Sequence, residues 1–459
     1  MSTQRQQPNI ILINCDDLGY GDLGCYGSPV NDTPTLDRMA AEGIRFTDFY
    51  MASPVCSPSR GAMMTGCYPR RIGFGTFDND AWVLFPGHAT GLSTKEATVA
   101  SLLKQQGYAT KIVGKWHCGD QPEFLPTRHG FDSYFGIPYS NDMGRQVNDN
   151  QRNRPPLPLL LDEDVIQQQP DQAALTERYV DECVRFIRAN HDRPFFLYFA
   201  QMYVHLPIYP PKTFADRSRN GAYGGAVACV DWSVRVLLHE LRELGIDTQT
   251  LVIFTSDNGS RGDHGGSNVP LRGTKGTTWE GGQRVPCIAY WPGTIPAGAV
   301  SGEIVSSIDF LPTFVRLAGG APPEDRIIDG RDFSALLRNP AGSRSPRDTF
   351  FYYCANDLEA VRSGRWKLHV RKRGETMFAL YDLVADIGET TDVAAQHPEI
   401  VKGLQAKLDA CRADLGDKAS GTAGANCRPP GRVANATPLT KYDPQHPYII
   451  AEYDLADRG

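Results

Sequence analysis

Four apolar runs in this 459-residue chain each end in residues that can do chemistry. The run 9–14 leads into Asp16-Asp17, 109–113 into Lys115 and His117, 194–204 into His205, and 251–255 into Asp257-Asn258. In an open parallel sheet the ligand site lies outside the carboxyl ends of the strands. The pattern therefore delivers carboxylates, an amide, a lysine and two histidines to one edge. Asp16, Asp17, Asp257 and Asn258 are all oxygen donors. Three carboxylates held together repel unless a cation sits among them, and an all-oxygen set suits Ca²⁺ or Mg²⁺ rather than Zn²⁺. Taken singly, Asp16-Asp17 reads equally well as a turn cap, and Asp257-Asn258-Gly259 as an ordinary turn. Their joint placement after buried strands is what favours a metal.

A second pattern is Cys56-Ser57-Pro58-Ser59-Arg60, followed by Gly61-Ala62-Met63-Met64-Thr65. Ser57 and Pro58 read as a cap and first-turn pair, which puts Cys56 at a helix N-terminus. The helix dipole and Arg60 would both favour negative charge there. A thiolate-phosphatase loop needs arginine six positions after its cysteine. Position 62 is Ala, and six residues after Cys118 stands Phe124, so that chemistry does not fit.

These residues need a frame. The short apolar runs are too brief for helices and read as strands buried on both faces. Between them lie helical stretches: 34–42, opened by Thr33 and Pro34 and closed by Gly43; 96–106, closed by Gly107; then 175–190, 223–244 and 309–318. Alternating β and α elements imply an α/β fold, a large, mostly parallel sheet sandwiched by helices. Beyond about residue 345 the texture changes to short strands separated by turns, with a closing helix at 399–415. The expected organisation is an α/β catalytic domain over 1–345 and a small C-terminal α+β domain with an antiparallel sheet over 346–459. The junction is the Gly/Ser/Pro-rich stretch 340–346, and 420–438 reads as an extended surface tail.

Composition is that of a globular protein, with 41% hydrophobic and 22% charged residues. Lys+Arg 47 against Asp+Glu 53 gives net −6, which argues against a nucleic-acid footprint. No apolar run approaches the ~18 residues of a membrane span, so no membrane partner is expected. The first residues show no apolar leader, which gives a cytoplasmic expectation for the sequence as it stands, or a periplasmic or secreted one if a leader was removed. Eleven cysteines with no C-x-x-C pair exclude a zinc ribbon or dithiol motif, and Cys183, Cys229 and Cys287 read as buried free thiols.

Together these motifs resemble the type I sulfatases, formylglycine-dependent members of the alkaline phosphatase superfamily. The resemblance runs from Ile11-Leu-Ile-Asn-Cys-Asp-Asp-Leu-Gly-Tyr-Gly-Asp22 through Cys56-Ser-Pro-Ser-Arg60 with Met64-Thr65-Gly66, Gly114-Lys-Trp-His117 and Ser256-Asp-Asn-Gly259 to Gly276-Thr-Thr-Trp-Glu-Gly-Gly282. Tyr381-Asp-Leu, Gly388-Glu389 and His397-Pro-Glu399 are similar to the family's C-terminal segment, and Gly136-Ile-Pro-Tyr-Ser140 to the arylsulfatase A and galactosamine-6-sulfatase branch. The resemblance implies an alkaline-phosphatase-like sheet and hydrolysis of a sulfate monoester, on an aryl group or a carbohydrate. It implies that Cys56 is oxidised to Cα-formylglycine by a formylglycine-generating enzyme. Asp16, Asp17, Asp257 and Asn258, with the modified Cys56, would hold Ca²⁺ (Mg²⁺ as the alternative). Arg60 and Lys115 would hold the aldehyde hydrate, and one of its hydroxyls would attack sulfur to form a covalent sulfo-enzyme. His205 and Lys275 would contact the sulfate and assist the leaving oxygen. His117 would be the base that releases sulfate. Ser140 would be a further sulfate contact.

One departure stands out: the signature closes Thr65-Gly66-Cys67 where the family usually has arginine, with Arg70 or Arg71 as candidate substitutes. Asp263-His264-Gly265 also resembles metal ligands of related phosphodiesterases, so a phosphoester or phosphonate hydrolase is the second reading, and a non-catalytic protein with unmodified Cys56 the third. His264 reads alternatively as a substrate-pocket residue. The loop 77–82 is either a solvated turn or a sugar contact. The basic residues Arg362, Arg365, Lys367, Arg371, Lys372 and Arg373 read first as a solvated face and second as a surface for an anionic saccharide. With no leader visible, the sequons at Asn31, Asn258 and Asn435 carry little weight, and the middle one would block the expected metal site.

Overall fold

Ile10, Ile11, Leu12 and Ile13 all lose their whole surface to neighbours because β1 (Asn9–Cys15) lies inside a sheet covered on both faces. The computed structural model describes residues 7–146, 154–450, 455, 458 and 459. Ten strands make the sheet: β1, β2 (Ile44–Phe46), β3 (Ala109–Gly114), β4 (Ser133–Gly136), β5 (Pro158–Leu161), β6 (Asp164–Gln168), β7 (Phe195–Ala200), β8 (Thr250–Ser256), β9 (Cys287–Tyr290) and β10 (Ala299–Ser301). Their order is β10-β2-β9-β8-β1-β7-β3-β4-β5-β6. The central block β8-β1-β7-β3-β4 is parallel throughout, and antiparallel pairs occur only in the flanks.

Side-chain alternation along β1 divides the core. Ile10 and Leu12 face α2 (Cys56–Thr65), α3 (Val99–Gln105) and α6 (Phe310–Leu317), while Ile11 and Ile13 face α1 (Pro34–Glu42), α4 (Gln172–Ala189) and α5 (Gly221–Glu243). The expected sheet with helices on both faces is what the chain builds. Truncating one of these side chains, as in Leu12→Ala, would cost about 2–5 kcal/mol.

Helix ends depart from the sequence reading in instructive ways. Thr33 does not cap α1 with its side chain; the amides of Thr35 and Leu36 donate instead to the Asp231 carboxylate on α5, at 3.0 and 2.8 Å. A cap supplied from 196 residues away leaves no local signal. At α3 the cap is local: Thr98 accepts from the Ser101 amide at 3.0 Å, so the helix starts at Val99.

The second sheet is an antiparallel meander, β11 (Thr349–Cys354), β12 (Asp357–Ser363), β13 (Trp366–Lys372) and β14 (Glu375–Asp382), with α7 (Pro398–Leu415) against it. The chain after α7 returns to the larger sheet: Val433 N donates to Ala89 O at 2.9 Å, and Thr440 Oγ1 to Pro156 O at 2.5 Å. All eleven cysteines are free, with Cys183, Cys229 and Cys287 buried. Among the described residues no helix is long and apolar enough to cross a membrane.

Candidate active site

The carboxyl ends of β1, β3 and β8 are neighbours across two or three strands, and the residues that follow them meet in one place. Asp16 and Asp17 leave β1, Lys115 and His117 leave β3, and Asp257 and Asn258 leave β8. His205 arrives five residues after β7, beyond an irregular stretch that the sequence reading counted as strand. Asp16, Asp17, Lys115, His117, Asp257 and Asn258 are 0% exposed, and His205 is 6% exposed. Asp17 and His117 hold positive φ values of 62° and 60°, a conformation that non-glycine residues sustain only where the surroundings fix it, as at ligand sites. Gly259 permits the close approach of the 276–282 segment, since a Cβ there would meet Gly281 O at 1.8 Å.

Charges balance three against three. The Arg60 Nε donates to Asp257 Oδ2 at 2.7 Å, and its Nη1 to Lys115 O at 2.7 Å. The Lys115 ammonium pairs with Asp16 and donates to Ser140 Oγ at 3.1 Å. Lys275 Nζ lies 2.6 Å from Asp17 Oδ1. His205 Nε2 is 3.7 Å from Asp17 Oδ2, and its Nδ1 is 3.4 Å from Ser140 Oγ. Burial works to raise the carboxyl of Asp16, but Lys115, His205 and Arg60 outweigh it and hold the group below its usual range. Asp257 goes the other way, pushed up to about 6 by burial and by the nearby Asp16 charge. It is the carboxylate that a further positive charge would most relieve.

The oxygen set also has unused capacity. Asp16 Oδ1, Asp17 Oδ2 and Asn258 Oδ1 are buried without a hydrogen-bond partner, a costly state for acceptors sealed from water. Oxygens of Asp16, Asp17 and Asp257 lie within 4.8 Å of one another, as do ligand atoms of Asp16, Cys56 and His205. Orphaned oxygens from two carboxylates and an amide, with the Asp257 carboxylate beside them, fit a hard divalent cation.

Cys56 is the first residue of α2, with Val55 at the cap position, and it is 2% exposed. Ser57 is therefore not the cap; its hydroxyl accepts from Leu84 N at 3.0 Å. The expectation of a stabilised thiolate is reversed. Burial pushes the Cys56 thiol up to about 11, and Lys115 and Lys275 offset that only in part. A helix N-terminus lowers a thiol only where desolvation does not dominate.

Every expected residue but one joins this cluster. His264 Nδ1 is held by Asp263 Oδ1 at 2.7 Å, its ring meets the edge of Tyr223 at 5.4 Å, and it takes no part in either group of potential metal ligands. His117 Nε2 contacts Leu84 O at 3.0 Å, while its buried Nδ1 has no partner; burial and Lys115 hold the ring neutral. Two residues escaped the sequence reading. Ser59 Oγ donates to Asp257 O at 2.5 Å, tying α2 to the end of β8. Arg428, from beyond α7, pairs with Glu96 at 2.7 Å and brings its Nη2 to 3.4 Å from Cys67 Sγ. Arg70 and Arg71 are engaged elsewhere, by Asn356 and by Asp329 and Asp414.

The family model described as Sulfatase matches residues 8–321, more than half of the chain and every strand of the large sheet. The chain belongs to the sulfatase family. A second model, described as N-sulphoglucosamine sulphohydrolase, C-terminal, matches residues 274–414 of this sulfatase. N-acetylgalactosamine-6-sulfatase of Canis lupus familiaris is 44% identical over 381 residues, 79% of this chain and 72% of the relative. Arylsulfatase A of Homo sapiens is 40% identical over 456 residues, 89% and 88% of the two chains. The solved structure of Ps i-CgsB in complex with k-i-k-neocarrahexaose superposes with a TM-score of 0.78 at 30% identity, covering 88% of this chain and 92% of that one. The sulfatase is a sulfuric ester hydrolase by family, and the mixed sheet with its separate antiparallel meander is the family's architecture.

Proposed function

We propose that this sulfatase hydrolyses sulfate monoesters of saccharides, with Cys56 converted to Cα-formylglycine and a calcium ion held by Asp16, Asp17, Asp257, Asn258 and the modified residue. The observation that carries the reading is the set of three buried, partnerless oxygens on Asp16, Asp17 and Asn258, with a ligand atom of Asp16 within 4.8 Å of one of Cys56. A thiol pushed up to about 11 is a poor nucleophile at neutral pH, so a functional site needs position 56 in another chemical form. Once formed, the hydrated aldehyde supplies one hydroxyl for attack at sulfur and a second whose proton must be removed to release sulfate. A bound divalent cation supplies Lewis-acid polarisation of the oxygens it touches.

The chain's own residues supply the rest. Arg60 is fixed by Asp257 and by Lys115 O, so its charge is oriented before substrate arrives. Lys115, paired with Asp16, and Lys275, paired with Asp17, would present ammonium groups to the sulfate oxygens. His205, half-surrounded by Asp17 and Ser140, is placed to hand a proton to the departing alkoxide. His117 is kept neutral by burial, the state a base requires. Saccharide substrates are favoured by two comparisons: one relative is named N-acetylgalactosamine-6-sulfatase, and one neighbour was solved in complex with k-i-k-neocarrahexaose.

The test is the mass of the peptide from Phe46 to Arg60, taken from protein made together with a formylglycine-generating enzyme, combined with assay of sulfate release. A thiol-to-aldehyde change accompanied by sulfate release is expected. An intact thiol in protein that still releases sulfate would overturn the role given to Cys56.

A further inference from the structure

The chain folds a second concave site against the segment that carries Lys275. A cavity of about 730 Å³ lies between the loop 76–82 and the β11–β12 and β13–β14 turns. That is within the roughly 300–1,000 Å³ typical of small-molecule sites. Trp82, Asn356, Asp357, Arg371 and Arg373 are among its walls. Its neighbour toward the reaction centre is Gly276, which follows Lys275. A methyl placed on Gly276 would stand 3.7 Å from the Trp82 ring and 4.0 Å from Arg373 Nη2. Gly276 N donates to Pro54 O at 2.9 Å, two residues before Cys56. Gly276 and the Lys275 side chain thus link this cavity to the site described above.

The lining is made for a sugar that carries an anion. Trp82 is 41% exposed, a large aromatic face left open beside polar groups. Arg373 is exposed, and among the described residues its guanidinium has no ion pair; Arg371 donates only to Gly374 O, at 3.3 Å. The acids are mostly committed: Asp80 pairs with Lys418 at 3.2 Å, and Glu359 accepts from Arg373 N and Thr278 Oγ1, each at 2.5 Å. Asp357 Oδ1 is sealed from solvent without a donor, so it is not presented to a ligand. Backbone conformation marks the same place. Asp80, Ala355 and Arg373 hold φ of 55°, 53° and 47°, three of the nine non-glycine residues at positive φ in the described chain, all in this one wall. Strain of that kind collects where a ligand must be held.

We propose that this cavity binds the sugar next to the sulfated one, stacking it on Trp82 and reading a carboxylate or second sulfate with Arg371 and Arg373. The substrate is then a polyanionic oligosaccharide rather than a small aryl sulfate. The inference rests on the saccharide reading above and narrows it. Of the six basic residues between 362 and 373, the two in this cavity are the ones that bind substrate; Arg362 and Lys367 are spent on buried acids.

The experiment compares wild type with Arg371→Ala/Arg373→Ala and with Trp82→Ala on three substrates: 4-nitrophenyl sulfate, a sulfated disaccharide whose second sugar carries a carboxylate, and the same disaccharide with a neutral second sugar. The double arginine variant should lose about tenfold or more in kcat/KM on the anionic disaccharide, through KM, and stay near wild type on the other two. Trp82→Ala should weaken both disaccharides alike and leave the aryl sulfate unchanged. Equal losses on anionic and neutral disaccharides, or a parallel loss on the aryl sulfate, would overturn the assignment. Calorimetric titration of the full-length protein with the two disaccharides keeps this separate from the function proposed above. If no substrate is turned over, that function fails; the cavity still stands if wild type prefers the anionic disaccharide and the double variant does not, and it falls if wild type shows no preference.

Discussion

Glu280 is the residue whose loss should expose how the meander and the reaction centre depend on each other. It sits five residues after Lys275 with 0% exposure, and both its oxygens are engaged. Oε1 meets Lys367 Nζ at 2.9 Å and the Tyr352 hydroxyl at 2.7 Å; Oε2 meets the Tyr50 hydroxyl at 2.5 Å and Arg284 Nη1 at 3.3 Å. Around it, Arg362 and Arg284 also reach Asp48, at 2.6 and 3.0 Å, and Lys367 reaches Glu389 at 2.8 Å. Three acids face three cations, all of them buried. Glu280→Gln keeps the shape and removes one negative charge, leaving an uncompensated buried cation. Breaking a buried pair from one side costs about 3–5 kcal/mol. The double variant Glu280→Gln/Lys367→Met restores neutrality and should be more stable than the sum of the singles by about 1 kcal/mol or more. Urea titration followed by tryptophan fluorescence gives the midpoints, with the slope checked for constancy so that a midpoint shift reports stability. A single-variant loss under about 1 kcal/mol, or strict additivity in the cycle, would refute the reasoning.

Three further outcomes are expected. Burial and Lys367 press the His369 imidazole down to about 4, while its contact with Glu389 at 3.1 Å pulls upward; Lys372 adds to the downward push. The folded pKa is thus below the unfolded ~6.5, so the unfolded chain takes up the proton first and stability drains as pH falls from 6.5 toward 4, by about 3 kcal/mol. His369→Gln should flatten the midpoint-against-pH curve in that window, and an unchanged slope would count against it. Adding calcium to chelator-treated protein should raise the urea midpoint, with a gain in unfolding free energy of about 2.7 kcal/mol at a hundred times Kd, and Asp257→Asn should blunt that rise. No shift with millimolar Ca²⁺ or Mg²⁺ would remove the metal from the proposal. Arg428→Ala loses the Glu96 pair and the Cys67 contact, so it should lower the midpoint, with a loss of about 1–3 kcal/mol in unfolding free energy, and Arg428→Lys should recover part. Identical midpoints for the three proteins would show that the tail does not brace α2.

What the sequence made legible follows from locality. Asp16, Lys115 and Asp257 each come directly after a buried strand, so hydrophobic periodicity and the rule for parallel sheets were enough to gather them. Lys275 and Ser140 follow no such signal and were found only through the family resemblance. Features made by partners far apart in the chain stayed hidden. Asp231 caps α1 from another helix, and Arg362 and Lys367 read as a solvated basic face although both are buried against acids. The Cys56 thiol was expected to be acidified because a helix start and Arg60 are visible in sequence, whereas the burial that dominates it is not.

The closure of the site around Cys56 also sets an order of events in synthesis. For the oxidation proposed above, an enzyme must reach a side chain that is 2% exposed once the chain has folded. Among the charges that act on it are Asp257, which leaves β8, and Lys275, whose segment is anchored through Glu280 to β13. Those residues leave the ribosome some 200 to 310 positions after Cys56. At about 5–20 residues per second that delay is on the order of 10 to 60 seconds. The nascent chain therefore carries a maturation clock. If Cys56 is oxidised as proposed, the cysteine would stay open to a modifying enzyme until the second sheet is made, and slower translation between residues 60 and 370 should raise the converted fraction while faster translation lowers it.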